Sequence, residues 1–435
     1  MALAQRKQLD DCELMVNRYD ALSSRIVNHE VKLSLEQDIF TAAVRILKSG
    51  GIGYIPLSEP DLAALSAGID SALTDLRPFP LDRFAVIPDK LPGVECFDPR
   101  AAALVTRPRE LNELSLQLAE KAFAAGKIDT FEGGIGVGDE EKLVFTMHSS
   151  QPVLVRRTGF GCGADVNTKD FDSLVNRRLP EAAEIVELGA RLARDMPTRE
   201  MKPEDLNVKG RAVTVILHPY ILEILLGMLV GEHAFATSAQ AGLSRYHPGD
   251  TVAAPSITLS DDALAPNLAD TFPTDDEGVA SRRTVIIEQG VFKSYLYDCA
   301  SAKADNRSST GNGKRRPILV EDENEAPVRC SVRSLHLAPG TKPLAQMIAE
   351  TENGIIIKML LGIHTANKTT GDFTNTVHAG KVIRQGKVVA LPESGRWSLK
   401  GNALDILKSV QELSAETVNT GSAVLPYLKT ELIVS

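Results

Sequence analysis

The chain has 435 residues, 43% of them hydrophobic, and its 48 basic and 57 acidic residues give a formal net charge of −9. This length predicts two or more domains, and the apolar fraction is sufficient for large cores. Binding to a phosphate backbone requires concentrated positive charge, so the acidic balance predicts no nucleic-acid partner.

The sequence also predicts a cytoplasmic protein. It contains no run of about 18 apolar residues, and its first residues lack the apolar core of a secretory signal. The five cysteines are scattered, odd in number and outside any CxxC pair. We therefore expect no membrane span, no disulfide and no Cys-rich zinc site, because such thiols are typical of small buried residues in a reducing compartment.

In the first half, the patterns predict helices on one face of a mostly antiparallel sheet, in an α/β layered domain over residues 1–205. Apolar residues recur at helical spacing at Leu62, Leu65, Ile69 and Leu73. The stretch 196–205 has the composition of an interdomain linker. In chain order, we predict strands 31–37, 40–47 and 53–57, helices 62–76 and 108–125, strands 130–137, 143–149 and 153–163, and helix 178–195.

The second half predicts a strand-rich domain, barrel-like or sandwich-like, over residues 206–435. Glycines separate its short apolar runs at the spacing expected of such folds. The fold class is therefore α+β. We predict strand 213–217, helix 221–230, strands 285–288, 291–297, 332–337, 355–361, 377–384 and 387–391, and a final helix at 403–413.

None of the three glycine-containing segments of the sequence fits a phosphate-binding loop. Residues 133–138 and 159–163 lack the GxGxxG spacing and do not lead into a helix, so hairpin turns and bulges are the expected explanation. The loop 310–316 lacks the upstream glycine, carries Arg315 in place of Ser or Thr, and precedes Pro317. We predict no nucleotide site.

The eight histidines do not form a recognisable catalytic pattern. The sequence contains no HExxH motif, and the adjacent residues Glu232 and His233 point about 100° apart on a helix, so they do not share one ion easily. We expect these histidines to lie on the surface or in loops. A serine nucleophile elbow, GxSxG, is also absent.

The acidic run Asp275-Asp276-Glu277 has two interpretations. Its carboxylates could bind a hard cation, or they could lie in a solvated turn and pair with Arg282 and Arg283. Composition favours the turn. A glycine at 278 would supply the backbone freedom that the turn needs.

A longer ordered series is more specific than these fragments. It consists of the segments 256–262, 272–284, 290–292, 295–297, 302–303, 309–311, 362–364, 370–373 and 401–404. This series resembles the TldD/PmbA family, the family of the Tld metallopeptidase complex, whose members were also called modulators of DNA gyrase. The resemblance runs from residue 208 to the C-terminus and extends more loosely over the first half.

The family resemblance implies an N-terminal α/β domain, a strand-rich C-terminal domain and two branches. In the TldD-like branch, a helix carries HExxxH: two histidines and a distant cysteine hold zinc, and the glutamate acts as base. The PmbA (TldE) branch has lost these residues and pairs with a TldD-like chain. The pair degrades unfolded peptides and trims leaders from peptide precursors.

Alignment with the zinc helix places Gly227, Met228 and Glu232 where the two histidines and the glutamate would stand. No cysteine follows Val410, so the distant thiolate is also missing. We therefore expect no cofactor in this chain and zinc in a TldD-like partner. One face of this helix is apolar, which is typical of a helix that packs against a core. The residues of this face are Ile221, Leu222, Leu225, Met228 and Leu229.

The resemblance favours a PmbA/TldE-like, non-catalytic subunit of a peptidase complex that holds extended peptides, with a TldD-like partner. One alternative is a metal-free homodimer that binds peptides or acts as a scaffold. Another is a peptidase with a rearranged site that uses His364, Asp372 or the residues 275–277. The candidate motif or groove residues are Asp276, Glu277, Gly278, Gly311, Gly362, Gly371, Asp372 and Phe373.

Overall fold

The computed structural model describes residues 2–315 and 327–434, and most of its regular structure belongs to two large β-sheets. The first sheet is built from the N-terminal part of the chain and the second from the C-terminal part. This arrangement confirms the α+β fold class with a strand-rich C-terminal part. The domain boundary at residue 205 stays a prediction.

Seven antiparallel strands form the first sheet, in the order β4-β3-β2-β1-β5-β6-β7. They are β1 (Asp11–Val27), β2 (Glu30–Lys48), β3 (Gly51–Leu57), β4 (Arg77–Pro78), β5 (Phe131–Thr146), β6 (Val153–Val166) and β7 (Asp170–Asn176).

Several predicted boundaries in this sheet are wrong. The strands predicted at 31–37 and 40–47 are one strand, β2, and those predicted at 130–137 and 143–149 are one strand, β5. Strands β1 and β7 were not predicted at all. The central strand β1 buries polar residues such as Asp11, Glu13 and Asn17, so its buried positions do not appear as an apolar pattern.

The two glycine clusters lie within strands and not in the expected hairpin turns. Three cross-strand pairs join β5 to β6: Gly134 with Gly163, Gly136 with Gly161, and Gly138 with Gly159. Because alternate residues of a strand share a face, all six glycines lie on the same face of the sheet.

Helices cover the opposite face of the first sheet, as predicted. Helices α4 and α5 pack together and contribute Leu111, Leu118, Ile185 and Leu188 to a core shared with strands β1, β5 and β6. The helices of this part are α1 (Ala2–Arg6), α2 (Leu62–Ala72), α3 (Pro99–Leu104), α4 (Pro108–Ala125) and α5 (Ala182–Arg194).

The second sheet contains a closed barrel. Strand β9 pairs with β16 and β21, β17 pairs with β16 and β19, and β19 pairs with β21. The sheet's strands are β8 (Glu200–Met201), β9 (Arg211–Leu217), β10 (Leu259–Asp262), β11 (Arg283–Glu288), β12 (Val291–Phe292), β15 (Leu335–Leu337), β16 (Asn353–Leu361), β17 (Asp372–Arg384), β18 (Lys387–Pro392), β19 (Ser398–Asn402), β20 (Glu412–Asn419) and β21 (Ala423–Val434).

Shorter elements complete the C-terminal part. Strands β13 (Gly313–Arg315) and β14 (Val328–Cys330) form a separate ribbon. The helices are α6 (Pro219–His233), α7 (Ala236–Gln240), α8 (Cys299–Ala304), α9 (Leu344–Ala349) and α10 (Ala403–Lys408), and single 3₁₀ turns occur at Pro203–Leu206 and Ile363–Thr365.

The predicted elements of this half are found with shifted ends. The strand predicted at 291–297 is limited to Val291–Phe292, and that predicted at 332–337 to Leu335–Leu337. The helix predicted at 403–413 ends at Lys408, because Leu413 already pairs with Leu428 between strands β20 and β21.

Part of the predicted linker belongs to the second sheet: strand β8, which lies inside the linker, pairs in parallel with the end of β18. In the part of the chain that the structure covers, no helix is both long and apolar enough to cross a lipid bilayer.

Candidate functional site: a buried ionic cluster, a core helix and a cavity beside strand β7

The acidic run lies in a turn, but the turn is buried. Asp275, Asp276 and Glu277 are 0%, 1% and 2% exposed. Gly278 has a φ of 79°, and Asp275 N donates to the carbonyl oxygen of Val279 at 2.9 Å to close the turn. The predicted turn and the role of glycine at 278 are confirmed, whereas the expected solvation is wrong.

Asp276 is held by two lysines that are remote in sequence. Its Oδ1 accepts hydrogen bonds from Lys142 Nζ at 2.5 Å and from Lys314 Nζ at 3.4 Å. Its Oδ2 accepts from the backbone N–H of Arg315 at 2.9 Å. The buried carboxylate therefore has both charge compensation and hydrogen-bond partners.

The expected pairing with Arg282 and Arg283 is wrong. Both arginines are exposed, Arg282 just before strand β11 and Arg283 at its first position. Arg282 Nη2 donates to the carbonyl oxygen of Ser309 at 2.8 Å, and Arg283 Nε donates to Ser260 Oγ at 3.1 Å. The turn folds inward, away from these side chains, towards the first sheet.

Glu277 continues the cluster into the first sheet. Arg45 Nη1 donates to Glu277 Oε1 at 3.5 Å, and Arg45 Nε donates to Glu13 Oε1 at 2.9 Å. Arg315 Nη2 donates to the same Glu13 oxygen at 2.7 Å. Since Glu13 and Arg45 lie on β1 and β2, this network ties the first sheet to the acidic turn.

The electrostatics of the cluster follow from burial and from these pairs. Burial alone would raise the pKa of Asp276, but Lys142 and Lys314 outweigh it and hold that pKa well below the usual value. Burial raises the pKa of Glu277, against the opposing effect of Arg45. Burial also lowers the pKa of Lys314. Because the cluster is enclosed, none of its carboxylates is accessible to a dissolved substrate. Its geometry suits a structural contact between the first sheet and the acidic turn, called here the acidic junction.

Gly311 belongs to the same junction. Its φ is 78°, and a Cβ placed on it would lie 3.0 Å from the carbonyl oxygen of Ala280. The loop predicted not to bind nucleotide supplies Lys314 and Arg315 to the cluster. Its last residue, Arg316, and the following Pro317 lie outside the described residues.

Helix α6 carries the positions aligned with the zinc motif. A Cβ placed on Gly227 would meet nothing within 4 Å, and Met228 packs against the core. Glu232 Oε1 accepts a hydrogen bond from Thr369 Oγ1 at 2.7 Å. These side chains do not fit a zinc ion. Within residues 2–315 and 327–434, no group of three or more His, Cys, Asp or Glu side chains is placed to hold a metal.

Two histidines of this region are buried: His218 lies in the loop before α6, whereas His233 lies inside the helix, contrary to the expected surface or loop position. His233 at the end of α6 is 0% exposed, and its Nδ1 accepts from the backbone N–H of Arg245 at 3.3 Å. His218 precedes the helix, and its Nδ1 accepts from the N–H of Tyr220 at 3.2 Å. Burial lowers the pKa of both imidazoles. His364 and His378 are exposed.

The remaining motif residues lie beside α6. Gly362 and Gly371 have φ values of 71° and 83°, which L side chains rarely adopt. Asp372 accepts hydrogen bonds from Thr370 Oγ1 and from Asn402 Nδ2, both at 2.8 Å. Phe373 is buried in the barrel core. The predicted motif residues therefore fall into two groups. Asp276, Glu277, Gly278 and Gly311 belong to the buried ionic cluster, and Gly362, Gly371, Asp372 and Phe373 lie beside α6.

A cavity of about 1070 Å³ lies between strand β7, helix α5 and the second sheet. Its lining combines side chains of both charge signs with apolar surface. Charged side chains in the lining include Asp172, Arg191 and Lys381, and apolar ones include Ile348, Val389 and Tyr427. The sequence did not reveal this cavity because β7 was not predicted.

Side chains already occupy the outer edge of β7. Tyr220 Oη accepts from the backbone N–H of Ser173 at 3.0 Å, and Asn419 Nδ2 donates to the carbonyl oxygen of Val175 at 3.0 Å. Lys358 Nζ donates to the carbonyl oxygen of Phe171. A peptide in the cavity would contact side chains rather than extend this strand.

The whole chain has the fold of known structures. It superposes on TldE from Thermococcus kodakarensis with a TM-score of 0.86 and 21% identity, covering 99% of this chain and 97% of that protein. It also matches a Thermotoga maritima protein described as a candidate modulator of a DNA gyrase. That match has a TM-score of 0.82 and 19% identity, over 100% of this chain and 98% of that one.

Curated relatives match over shorter lengths. An uncharacterized protein of Methanocaldococcus jannaschii (MJ0231) is 27% identical over 288 residues, which is 64% of this chain and 60% of the relative. A protein of Haemophilus influenzae named metalloprotease TldD homolog is 28% identical over 162 residues. That alignment covers 37% of this chain and 32% of the relative.

Together, the fold and the buried acidic turn define a two-sheet α+β protein with a C-terminal barrel. The model for the PmbA/TldA metallopeptidase C-terminal domain matches residues 209–434, more than half of the chain. The chain therefore belongs to the PmbA/TldD family, which confirms the resemblance found in the sequence.

Proposed function

We propose that this protein is a PmbA/TldE-like, non-catalytic subunit of a cytoplasmic TldD/TldE-type metallopeptidase that degrades or matures unfolded peptides. The proposal rests on one observation: in this member of the family, the positions of helix α6 that align with the zinc motif carry Gly227, Met228 and Glu232. Gly227 and Met228 provide no nitrogen or oxygen ligand, and Glu232 is engaged by Thr369. A TldD-like partner would supply the zinc, its hydroxide and the general base.

The rearranged-site alternative has little support from the geometry. The residues 275–277 are at most 2% exposed, and Asp372 is engaged by Thr370 and Asn402. The carboxylates of residues 275–277 are therefore inaccessible to a substrate, whereas Asp372 is exposed but belongs to no metal-holding group of side chains within the described residues. The metal-free homodimer remains the second candidate, because within the described residues no strand pairs with residues 30–41 of β2 on the side away from β1.

The test compares the chain alone, a TldD-like protein from the same genome, and their mixture. Zinc content and cleavage of an unfolded peptide are measured for each, with and without a chelator. We expect no stoichiometric zinc and no cleavage for the chain alone, and faster, chelator-sensitive cleavage by the mixture than by the TldD-like protein. Chelator-sensitive cleavage by the chain alone would contradict the proposal.

A second experiment tests whether the peptide contacts the cavity beside strand β7. Val389 lines this cavity, whereas Val86 is exposed outside it. Val389→Trp fills part of the cavity and should slow peptide turnover by the mixed complex without changing its zinc content. Val86→Trp is the matched control and should leave turnover unchanged. Equal effects of the two substitutions would exclude the cavity as the peptide site.

A further inference from the structure

Two lysines and one aspartate meet on one wall of the cavity beside strand β7. Lys358 on β16 and Lys381 on the neighbouring strand β17 line this cavity together with Asp170, the first residue of β7. The pairing of β16 with β17 skips Lys358, between Ile357 and Met359. Such a bulge redirects a side chain and is frequent next to functional sites. Two ammonium groups thus accompany one buried carboxylate, so this wall carries an excess of positive charge.

Lys381 differs from Lys358 in the hydrogen bonds of its ammonium group. Lys358 Nζ donates to Asp170 Oδ1 at 2.8 Å and to the carbonyl oxygen of Phe171. Lys381 Nζ lies 3.3 Å from Asp170 Oδ2 but forms no hydrogen bond with it, nor with any other group in the described residues. The Lys381 side chain is 24% exposed, compared with 10% for Lys358. The three N–H donors of Lys381 are therefore available to a ligand in the cavity.

The other acidic side chains of the lining do not neutralise this wall. Asp172 accepts hydrogen bonds from Arg191 Nη2 at 2.6 Å and from Tyr220 Oη at 3.0 Å. Glu184 on helix α5 and Asp195 at the end of this helix are exposed, where solvent screens their charges. An anionic group is therefore the ligand that the wall favours.

The strand beside the cavity favours the end of a peptide over its middle. Tyr220, Asn419 and Lys358 already bond to backbone groups of β7, so a peptide does not add to this strand. The cavity, of about 1070 Å³, is instead of the size that encloses a small ligand or a short chain end. The anionic group at a chain end is the C-terminal carboxylate.

We infer that Lys381 binds the C-terminal carboxylate of a peptide that enters this cavity. The ammonium donates charge-assisted hydrogen bonds to a carboxylate oxygen, and the ion pair with Asp170 holds the lysine at the wall. This assignment rests on the proposed function, because it names the part of the peptide substrate that this subunit holds. The ligand class is a peptide with a free C-terminus.

Peptide binding to the isolated chain tests the assignment. An unstructured peptide without acidic side chains, labelled with fluorescein at its N-terminus, is compared as the free acid and as the C-terminal amide. Fluorescence anisotropy should show about ten-fold weaker binding of the amide, which lacks the charge-assisted hydrogen bond. An amidated peptide that ends in aspartate carries only a side-chain carboxylate and should not recover the affinity. Equal binding of acid and amide, no binding of either, or full recovery by the aspartate would overturn the assignment.

Substitutions locate the carboxylate site. Lys381→Met should lower the affinity for the acid to that for the amide and leave the amide unchanged, whereas Lys381→Arg should keep the preference for the acid because it keeps the charge. Lys400→Met, at an exposed position of β19 outside the cavity lining, is the matched control. A preference for the acid that survives in Lys381→Met would place the carboxylate elsewhere. Asp170 retains Lys358 in these variants, and circular dichroism verifies that each is folded.

This binding assay separates the carboxylate site from the proposed function. It uses the chain alone, whereas the peptidase role is tested by zinc content and by cleavage in the mixture. Chelator-sensitive cleavage by the mixture, without a preference of this chain for the acid, would overturn the carboxylate site alone. A preference for the acid that depends on Lys381, without cleavage by the mixture, would support the site and contradict the peptidase role.

Discussion

Lys142 Nζ lies 2.5 Å from Asp276 Oδ1, and both side chains are buried. Lys142 belongs to β5 and Asp276 to the acidic turn, so the pair joins the first sheet to the C-terminal part of the chain. Asp276→Ala would leave Lys142 buried without its anion, and Lys314 with Asp270, 3.6 Å away, as its remaining carboxylate partner. We expect it to lower the free energy of unfolding by about 3–5 kcal/mol, measured by urea denaturation.

An exposed ion pair provides the control for that substitution. Arg107 and Glu110 lie 3.2 Å apart on α4, with both side chains more than half exposed. Glu110→Ala should change the free energy of unfolding by less than about 1 kcal/mol. If Asp276→Ala had no larger effect than Glu110→Ala, the acidic junction would not stabilise the fold as described.

Gly278 should tolerate no side chain. Its φ is 79°, and a Cβ would lie 2.7 Å from Cγ1 of Ile87. Gly395 has a similar φ of 70° and nothing within 4 Å of its Cβ position, so Gly395→Ala measures backbone strain alone, at about 1–2 kcal/mol. Gly278→Ala should cost roughly 1–3 kcal/mol more in urea denaturation because of the overlap. Partial recovery by an added Ile87→Ala would identify the contact, and equal costs at both glycines would refute it.

Sequence periodicity predicted the helices and many strands, but it did not predict the ionic partners. Glu13 and Lys142 lie in strands that place charges on buried faces, and nothing in the local pattern identifies a charge as buried. Their pairing with the acidic turn depends on how distant segments pack. The break predicted near Asp38 in β2 has a related cause: the first part of this strand is exposed and the second part buried, so no continuous apolar pattern runs along it.

The face of the first sheet that carries six glycines of β5 and β6 allows a prediction of increased stability. Gly136 lies inside β5, and a Cβ there would meet nothing within 4 Å. Since glycine weakens a strand interior, Gly136→Ala should raise the free energy of unfolding by about 0.5–1 kcal/mol. Gly133, on the opposite face of the same strand, would place a Cβ 2.6 Å from the carbonyl oxygen of Gly163. Gly133→Ala should destabilise, and thermal unfolding of the two variants should shift in opposite directions.

His218 should make stability depend on pH. Burial, together with Lys358 and Lys381, holds its pKa well below the usual 6.5. Below pH 6.5 the unfolded chain binds a proton that the folded chain does not, so stability falls as the pH falls. The expected loss is about 1.4 kcal/mol per pH unit until the folded pKa is reached.

A His218→Asn variant isolates this effect. Asparagine can still cap helix α6 by accepting from the N–H of Tyr220, but it does not titrate. Urea denaturation of both proteins between pH 5 and 8 should give curves that diverge below pH 6.5. Parallel curves would show that His218 does not contribute to the pH dependence.

Glu232 occupies a position aligned with a zinc ligand, yet its contact is structural. Its Oε1 accepts a hydrogen bond from Thr369 Oγ1 at 2.7 Å. This bond joins α6 to the loop before Asp372. A double-mutant cycle of Glu232→Ala and Thr369→Ala should give a coupling free energy of about 1 kcal/mol, because the bond is partly buried and one partner is ionisable. Zinc content should be the same in the wild type and in Glu232→Ala. Zinc that is stoichiometric in the wild type and lost on this substitution would instead make Glu232 a ligand, and the role assigned to helix α6 would be wrong.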